Sequence, residues 1–230
     1  MPTIKDSEFG EIIVRAHHNA TRIALGIAPD GRLKVSTPKY TPLISVKVLI
    51  KTSRPQIRRL LAKHRSDKVY NKSQPIGKSH SLVIQQDAGK TSIGTAGTKI
   101  MVNLMSGTDI EEVDLQQDIR HTITKALRKE AKSYLPRRLK YMAEEYGFEY
   151  QSVKLTHSSS RWGSCSTKGT ISLNIALMQL PFELIDYVLA HELCHTRQMN
   201  HSQAFWSEVA VIDPKYKLHR QQIKKYSPNI

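Results

Sequence analysis

The residues best able to do chemistry in this chain are His191-Glu192-Leu193-Cys194-His195, followed six residues later by His201. On a helix, residues four apart are offset by about 40° and lie one turn apart, so the imidazoles of His191 and His195 face the same side. Such a pair can hold one zinc ion, and Glu192 can reach a metal-bound water as its general base. If the helix ran on straight, His201 would lie about 9 Å beyond His195 along the axis and could not share a metal with His191. The helix is therefore expected to end between them. Asn200 is the residue there best suited to a left-handed turn when glycine is absent. His201 is the favoured third ligand and Glu208 its rival.

The elements around these residues can be read from pattern. Pro181-Phe182-Glu183 suits a helix start, and the apolar residues from Leu184 to Ala190 surround most of the circumference, so the metal-bearing helix is expected to be buried. A buried helix that carries two histidines and a glutamate must satisfy those polar groups, which a metal and a bound water would do. Ser202 is placed to cap a following helix with Phe205, Trp206 and Val209 on its apolar side. Upstream, Val153–Leu155 and Ile171–Asn174 read as strands flanking a loop at 161–166. Residues 114–146 read as one long helix or two, with Leu115, Ile119, Ile123 and Leu127 at helical spacing, an interruption at Pro136 and an end at Gly147. Residues 43–65 read as helical, with Pro55 marking a break or a start. Strands are expected at Ile12–Arg15, Arg22–Ile27, Leu33–Ser36, Ser81–Ile84 and Lys99–Leu104. A hairpin turns at Pro29-Asp30-Gly31, and a loop spans Gly89 to Gly97. No internal repeat is visible. The organisation this suggests is a β-rich N-terminal subdomain, 1–112, and a catalytic part, 113–230, joined through the long helix.

The 230 residues suffice for a sizeable core, and 39% of them are apolar. No apolar run approaches a membrane span, so no membrane partner is expected, and Met1-Pro2-Thr3-Ile4-Lys5-Asp6 has no signal core. Two cysteines, Cys165 and Cys194, make no disulfide framework, which points to a reducing, cytoplasmic setting. Cys194, on the metal helix, reads as a small buried hydrophobe. The formal charge is +15 and is clustered: Lys51–Lys72 holds eight Lys/Arg against Asp67, and Arg120–Lys140 holds eight against Glu130. Such segments can attract phosphates without sequence preference, so nucleic acid is a candidate non-specific partner.

Arg161-Trp162-Gly163-Ser164-Cys165-Ser166, Ile171-Ser172-Leu173-Asn174, the helix from Tyr187 to His195, Asn200-His201-Ser202 and Phe205-Trp206 together resemble the YgjP-like metallopeptidases, relatives of the SprT and WLM zinc peptidases. The spacing from His195 to His201 equals that of metzincins, but Gln198 stands in place of their glycine, so the chain is not read as one. The resemblance implies an α+β, zincin-like fold with a compact gluzincin-type core. It also implies Zn2+ on His191, His195 and His201, Glu192 as catalytic base, and a peptide or protein substrate. By the same resemblance, Ile171–Asn174 would be the sheet edge beside which an extended substrate pairs. His157, Arg161 and Tyr216 are candidates for stabilising the oxyanion or contacting substrate. A second class of function is a nucleic-acid-associated binding protein whose zinc is structural or secondary. Structural zinc usually has four protein ligands, and three histidines leave a position open, which favours catalysis.

Overall fold

The computed structural model describes residues 3–18, 20–28, 31–63 and 69–230. Its first sheet contains β1 (Thr3–Asp6), β2 (Gly10–His17), β3 (Ala24–Ile27) and β4 (Leu33–Pro38) in the order β1-β2-β4-β3. β2 and β4 are parallel, and the two outer pairings are antiparallel. β4 shows the two-residue alternation of a half-buried strand, with Leu33, Val35 and Thr37 inward. The expected β3–β4 hairpin is present. Pro29 and Asp30 of its turn lie outside the described residues, as do 64–68 of the first basic cluster.

Two helices follow, α1 (Leu43–Thr52) and α2 (Arg54–Lys63). Pro55 stands in the first turn of α2, where a missing N–H costs no helical bond. Val46, Ile50 and Ile57 from these helices join Ile12, Val14, Leu33 and Val35 in one apolar core. Arg54 and Arg58 bind the carboxylates of the β1–β2 turn, Asp6 and Glu8.

The second sheet contains β5 (Gln74–Ile76), β6 (His80–Ala88), β7 (Ser92–Ala96) and β8 (Lys99–Met105), in the order β5-β6-β8-β7. Its central pairing is parallel and its outer pairings antiparallel, so it repeats the topology of the first sheet. No sequence repeat announces this, because a shared topology needs only a common alternation of apolar residues and not common residues. The segment expected as a loop between Gly89 and Gly97 contains strand β7. It was unreadable because an exposed edge strand such as Ser92-Ile93-Gly94-Thr95-Ala96 needs little apolar alternation. β5 is likewise an edge strand, which is where a proline such as Pro75 is tolerated.

α3 (Val113–Tyr146) runs unbroken through Pro136, contrary to the expected interruption. The lost bond costs about 3 kcal/mol. Leu135 and Leu139, on either side of the proline, are fully buried, and burying each leucine is worth about 1.5–3 kcal/mol. Packing therefore outweighs the local penalty. Gly147, at φ +68°, ends the helix as expected. Glu130 of α3 accepts hydrogen bonds from the backbone N–H groups of Lys78, Ser79 and His80 and lies 2.6 Å from His80 Nδ1. Gly77 is required at this turn, since a Cβ there would lie 2.3 Å from Glu130 Oε2.

The third sheet contains β9 (Ser152–Thr156), β10 (Gly163–Cys165) and β11 (Thr170–Asn174) in the order β10-β11-β9. The chain then passes through a 3-10 turn into α4 (Phe182–Cys194), α5 (Gln203–Ile212) and α6 (Tyr216–Gln222). By contacts the chain falls into two compact units. One is Met1–Asn71 with Asp109–His121, and the other is Lys72–Thr108 with Thr122–Ile230, so the second sheet groups with the C-terminal elements. Among the described residues no helix is long and apolar enough to cross a membrane.

Candidate active site

α4 is the helix that carries His191 and Glu192 and ends on His195, and Leu184, Ile185, Val188, Leu189, Ala190 and Leu193 bury it on most sides as expected. Three contacts fix its N-terminal half. The Arg138 guanidinium makes a two-pronged bond to Asp186, with Nε–Oδ1 2.9 Å and NH2–Oδ2 2.7 Å. Tyr134 packs against the Phe182 ring. Lys78 Nζ donates to the carbonyl of Leu180, just ahead of the helix, and lies 4.2 Å from the Phe182 centroid. A helix held in this way presents His191 and His195 in a fixed orientation.

The helix ends at His195, as the position of His201 requires. The chain reverses through backbone bonds from Arg197 and Gln198 to the carbonyl of Cys194. No left-handed residue makes this turn. Asn200 instead accepts a bond from Ser202 N through its side chain, and Ser202 caps α5 through Phe205 N. This brings the three imidazoles together. His191 Nε2 lies 3.2 Å from His195 Nε2 and 3.1 Å from His201 Nε2. The three ligand atoms all lie within 4.8 Å of one another. Two nitrogens bound tetrahedrally to zinc at 2.0–2.1 Å sit about 3.3 Å apart, so the triad has the size of a zinc site. His195 Nδ1 lies 2.9 Å from the carbonyl of Gln198, an outer bond that leaves Nε2 as the lone-pair nitrogen. Glu208 points elsewhere, 3.9 Å from Arg197.

The polar groups here also fit a metal. Among the described residues, Glu192 Oε2, on the residue next to His191, is one of the buried side-chain atoms with no hydrogen-bond partner. Burial, reinforced by the neighbouring His195 and His201, pushes the His191 pKa down to about 3, so the ring is neutral, the form that binds a cation. Burial and His195 also lower His201. Glu192 is only 5% exposed, and burial pushes its carboxyl up to about 8 against the pull of the Arg161 charge. A buried carboxylate with a free oxygen is costly unless a cation or a polar reactant meets it.

The third sheet flanks this carboxylate, but not with the strand expected. β11 is central, paired with β9 on one side and β10 on the other, so Ile171–Asn174 is not an open edge. The edges are β9 and β10, and β10, three residues too short to carry a period in the sequence, is the one against Glu192. Gly163 of β10 lies against Glu192, where a Cβ would come within 2.6 Å of Oε1. Cys165 also feels the Glu192 charge, which, after burial, raises its thiol. Asn174, fully buried, was not singled out from sequence. Its side-chain amide donates to the carbonyls of Ser158 and Arg161 at 2.6 and 2.9 Å, and its Oδ1 accepts from Ala176 N. It thus shapes the loop that carries Arg161, a side chain at the surface. His157 is partly buried at the start of that loop. Tyr216, the remaining oxyanion candidate, is stacked on Trp206 at 5.4 Å and 16°.

His191 and His195 at a buried helix, a converging third histidine and an unpartnered carboxylate oxygen together make an arrangement that could hold a metal ion. Residues 21–226 match the family described as "YgjP-like, metallopeptidase domain", and the chain belongs to this family. The solved structure of the metallopeptidase zymogen of Pyrococcus abyssi abylysin is 28% identical, with 39% of this chain and 91% of that chain covered at a TM-score of 0.37. No curated protein matches.

Proposed function

We propose that the chain is a zinc-dependent peptidase in which His191, His195 and His201 hold the metal and Glu192 is the general base. The observation that carries this reading is the convergence of three Nε2 atoms beside a buried carboxylate with an unpartnered oxygen. Zinc there would lower the pKa of water from about 16 to about 7 and polarise a scissile carbonyl. Glu192 takes the proton from the attacking water and delivers it to the leaving amine. Its other oxygen is held against the Gly163 backbone, which orients the carboxylate. The open side of β10 offers backbone groups to an extended peptide, which would pair as an added strand. Among the oxyanion candidates, the Arg161 charge acts on Glu192, whereas Tyr216 is engaged with Trp206. With both cysteines free, we place the protein in a reducing compartment, the cytoplasm. Residues 113–230 would form its catalytic part and 1–112 an accessory region. The test is cleavage of a proteome-derived peptide library by metal-stripped protein, before and after zinc is restored. Cleavage that returns with zinc is expected, and an equal pattern without metal would sink the reading.

A second reading, non-specific nucleic-acid binding, has one observation in its favour. Glu130, the lone acid of the second basic cluster, is buried in its bonds to the β5–β6 turn, while Lys125, Arg128, Lys129, Lys132 and Arg137 are exposed on α3. Arg138 is occupied by Asp186 and drops out of this face. Reversing Arg128 and Lys132 should weaken binding to labelled single- and double-stranded DNA and flatten its salt dependence, because fewer counterions are released. Absence of binding even at low salt would leave the +15 charge as a matter of solubility.

A further inference from the structure

His201 differs from its two partners in the triad. His191 and His195 are carried on a packed helix, whereas His201 follows the turn after it and is exposed. Its ring is held by aromatic contacts. The Trp206 indole is stacked on it at 5.6 Å and 23°, and the buried Phe205 meets it edge-on at 4.8 Å and 78°. The indole has supports of its own. Tyr216 stacks on it, and the Arg220 guanidinium lies 4.4 Å from its centroid. Tyr216 and Arg220 are four residues apart on α6, so one face of that short helix presents both to the indole. The third imidazole is therefore the end of a chain of contacts running from α6 through Trp206.

We propose that Trp206, braced by Tyr216 and Arg220, is the positioning residue for the third metal ligand, so that α6 sets how tightly the triad binds zinc. This rests on the zinc reading of the triad. The physical reason is preorganisation. An exposed histidine in a loop samples several rotamers, and the fraction pointing inward limits its contribution to affinity. A stacked indole selects that rotamer before metal arrives. On this view the Tyr216 ring, rather than its hydroxyl, is what the site uses.

The test measures zinc dissociation constants of the full chain by chelator competition, together with the visible absorption of the cobalt form, which reports ligand geometry independently of turnover. Trp206→Ala should bind zinc about 10–100-fold more weakly, the usual cost of losing an outer-shell partner, with altered cobalt bands. Trp206→Phe, which keeps a stacking ring, should restore most of the affinity, and Tyr216→Phe should bind as the wild type does. Wild-type affinity and cobalt bands in Trp206→Ala would overturn the proposal. If Trp206→Ala fails to fold, Tyr216→Ala decides, because it removes one support of the indole while leaving the indole and the Arg220 charge, which acts on His191 and His201, in place. A several-fold loss supports the brace, and unchanged binding overturns it. His191→Ala is the reference for the underlying reading. If the wild type binds no more zinc than His191→Ala, the metal assignment itself has failed. If only the wild type binds and Trp206→Ala equals it, the positioning role alone has failed.

Discussion

Glu192→Gln is expected to keep its zinc and to lose hydrolysis. Position 192 is enclosed, with one oxygen against Gly163 and the other buried without a partner, so the amide fits the space of the carboxylate. The metal stays because the three imidazoles are untouched. The proton acceptor is gone, and general-base catalysis is worth about 10²–10⁴-fold in rate. The measurement pairs metal content with kcat on a peptide identified by library cleavage. A variant that turns this peptide over at the wild-type rate removes Glu192 from the role of base, whatever its burial.

His201→Ala is expected to lose zinc, and Glu208→Ala to retain it. Losing one of three ligands should lower affinity by more than the about 10–100-fold that outer-shell changes alone produce. Glu208 faces Arg197 at 3.9 Å with both side chains partly exposed, a pair worth at most about 1 kcal/mol, so its removal should barely alter stability. Zinc content and dissociation constants of the two variants separate the alternatives that spacing alone left open. Loss confined to the Glu208 variant would reverse the assignment.

Much of this site was legible in the sequence because it depends on helical phase. The four-residue offset of His191 and His195, the need for a turn before His201 and the cap at Ser202 all follow from helix geometry. Errors arose where tertiary contacts decide. Pro136 reads as a break, but the buried leucines beside it keep α3 continuous. Three-residue β10 carries no period, and without it nothing in the sequence shows that Ile171–Asn174, the edge the resemblance implied, is paired on both sides. Asn200 suits a left-handed turn, yet the chain reverses without one because its amide can cap Ser202 N instead. Asn174 and Trp206 were readable only as a strand end and an apolar helix position, since the contacts each makes lie in a loop or ring that only folding brings close. The identical order of the first two sheets was invisible for a related reason: topology is recorded in backbone pairing, not in residue identity.

The repeated sheets bear on how the molecule comes into being. Among the described residues every strand pairing closes within 3–38, 74–105 or 152–174, so no sheet waits for a distant part of the chain. Short closures cost little chain entropy and favour rapid assembly. The triad at 191–201 comes after all three in the chain, and the helix that carries its first two members is buried through Ile185, Leu189 and Leu193 rather than through coordination. Folding can thus be complete before any cation is captured. Unlike a zinc finger, which is unfolded without its ion, this protein would be a finished receptacle into which the metal is loaded last, and from which it could be exchanged without melting the scaffold.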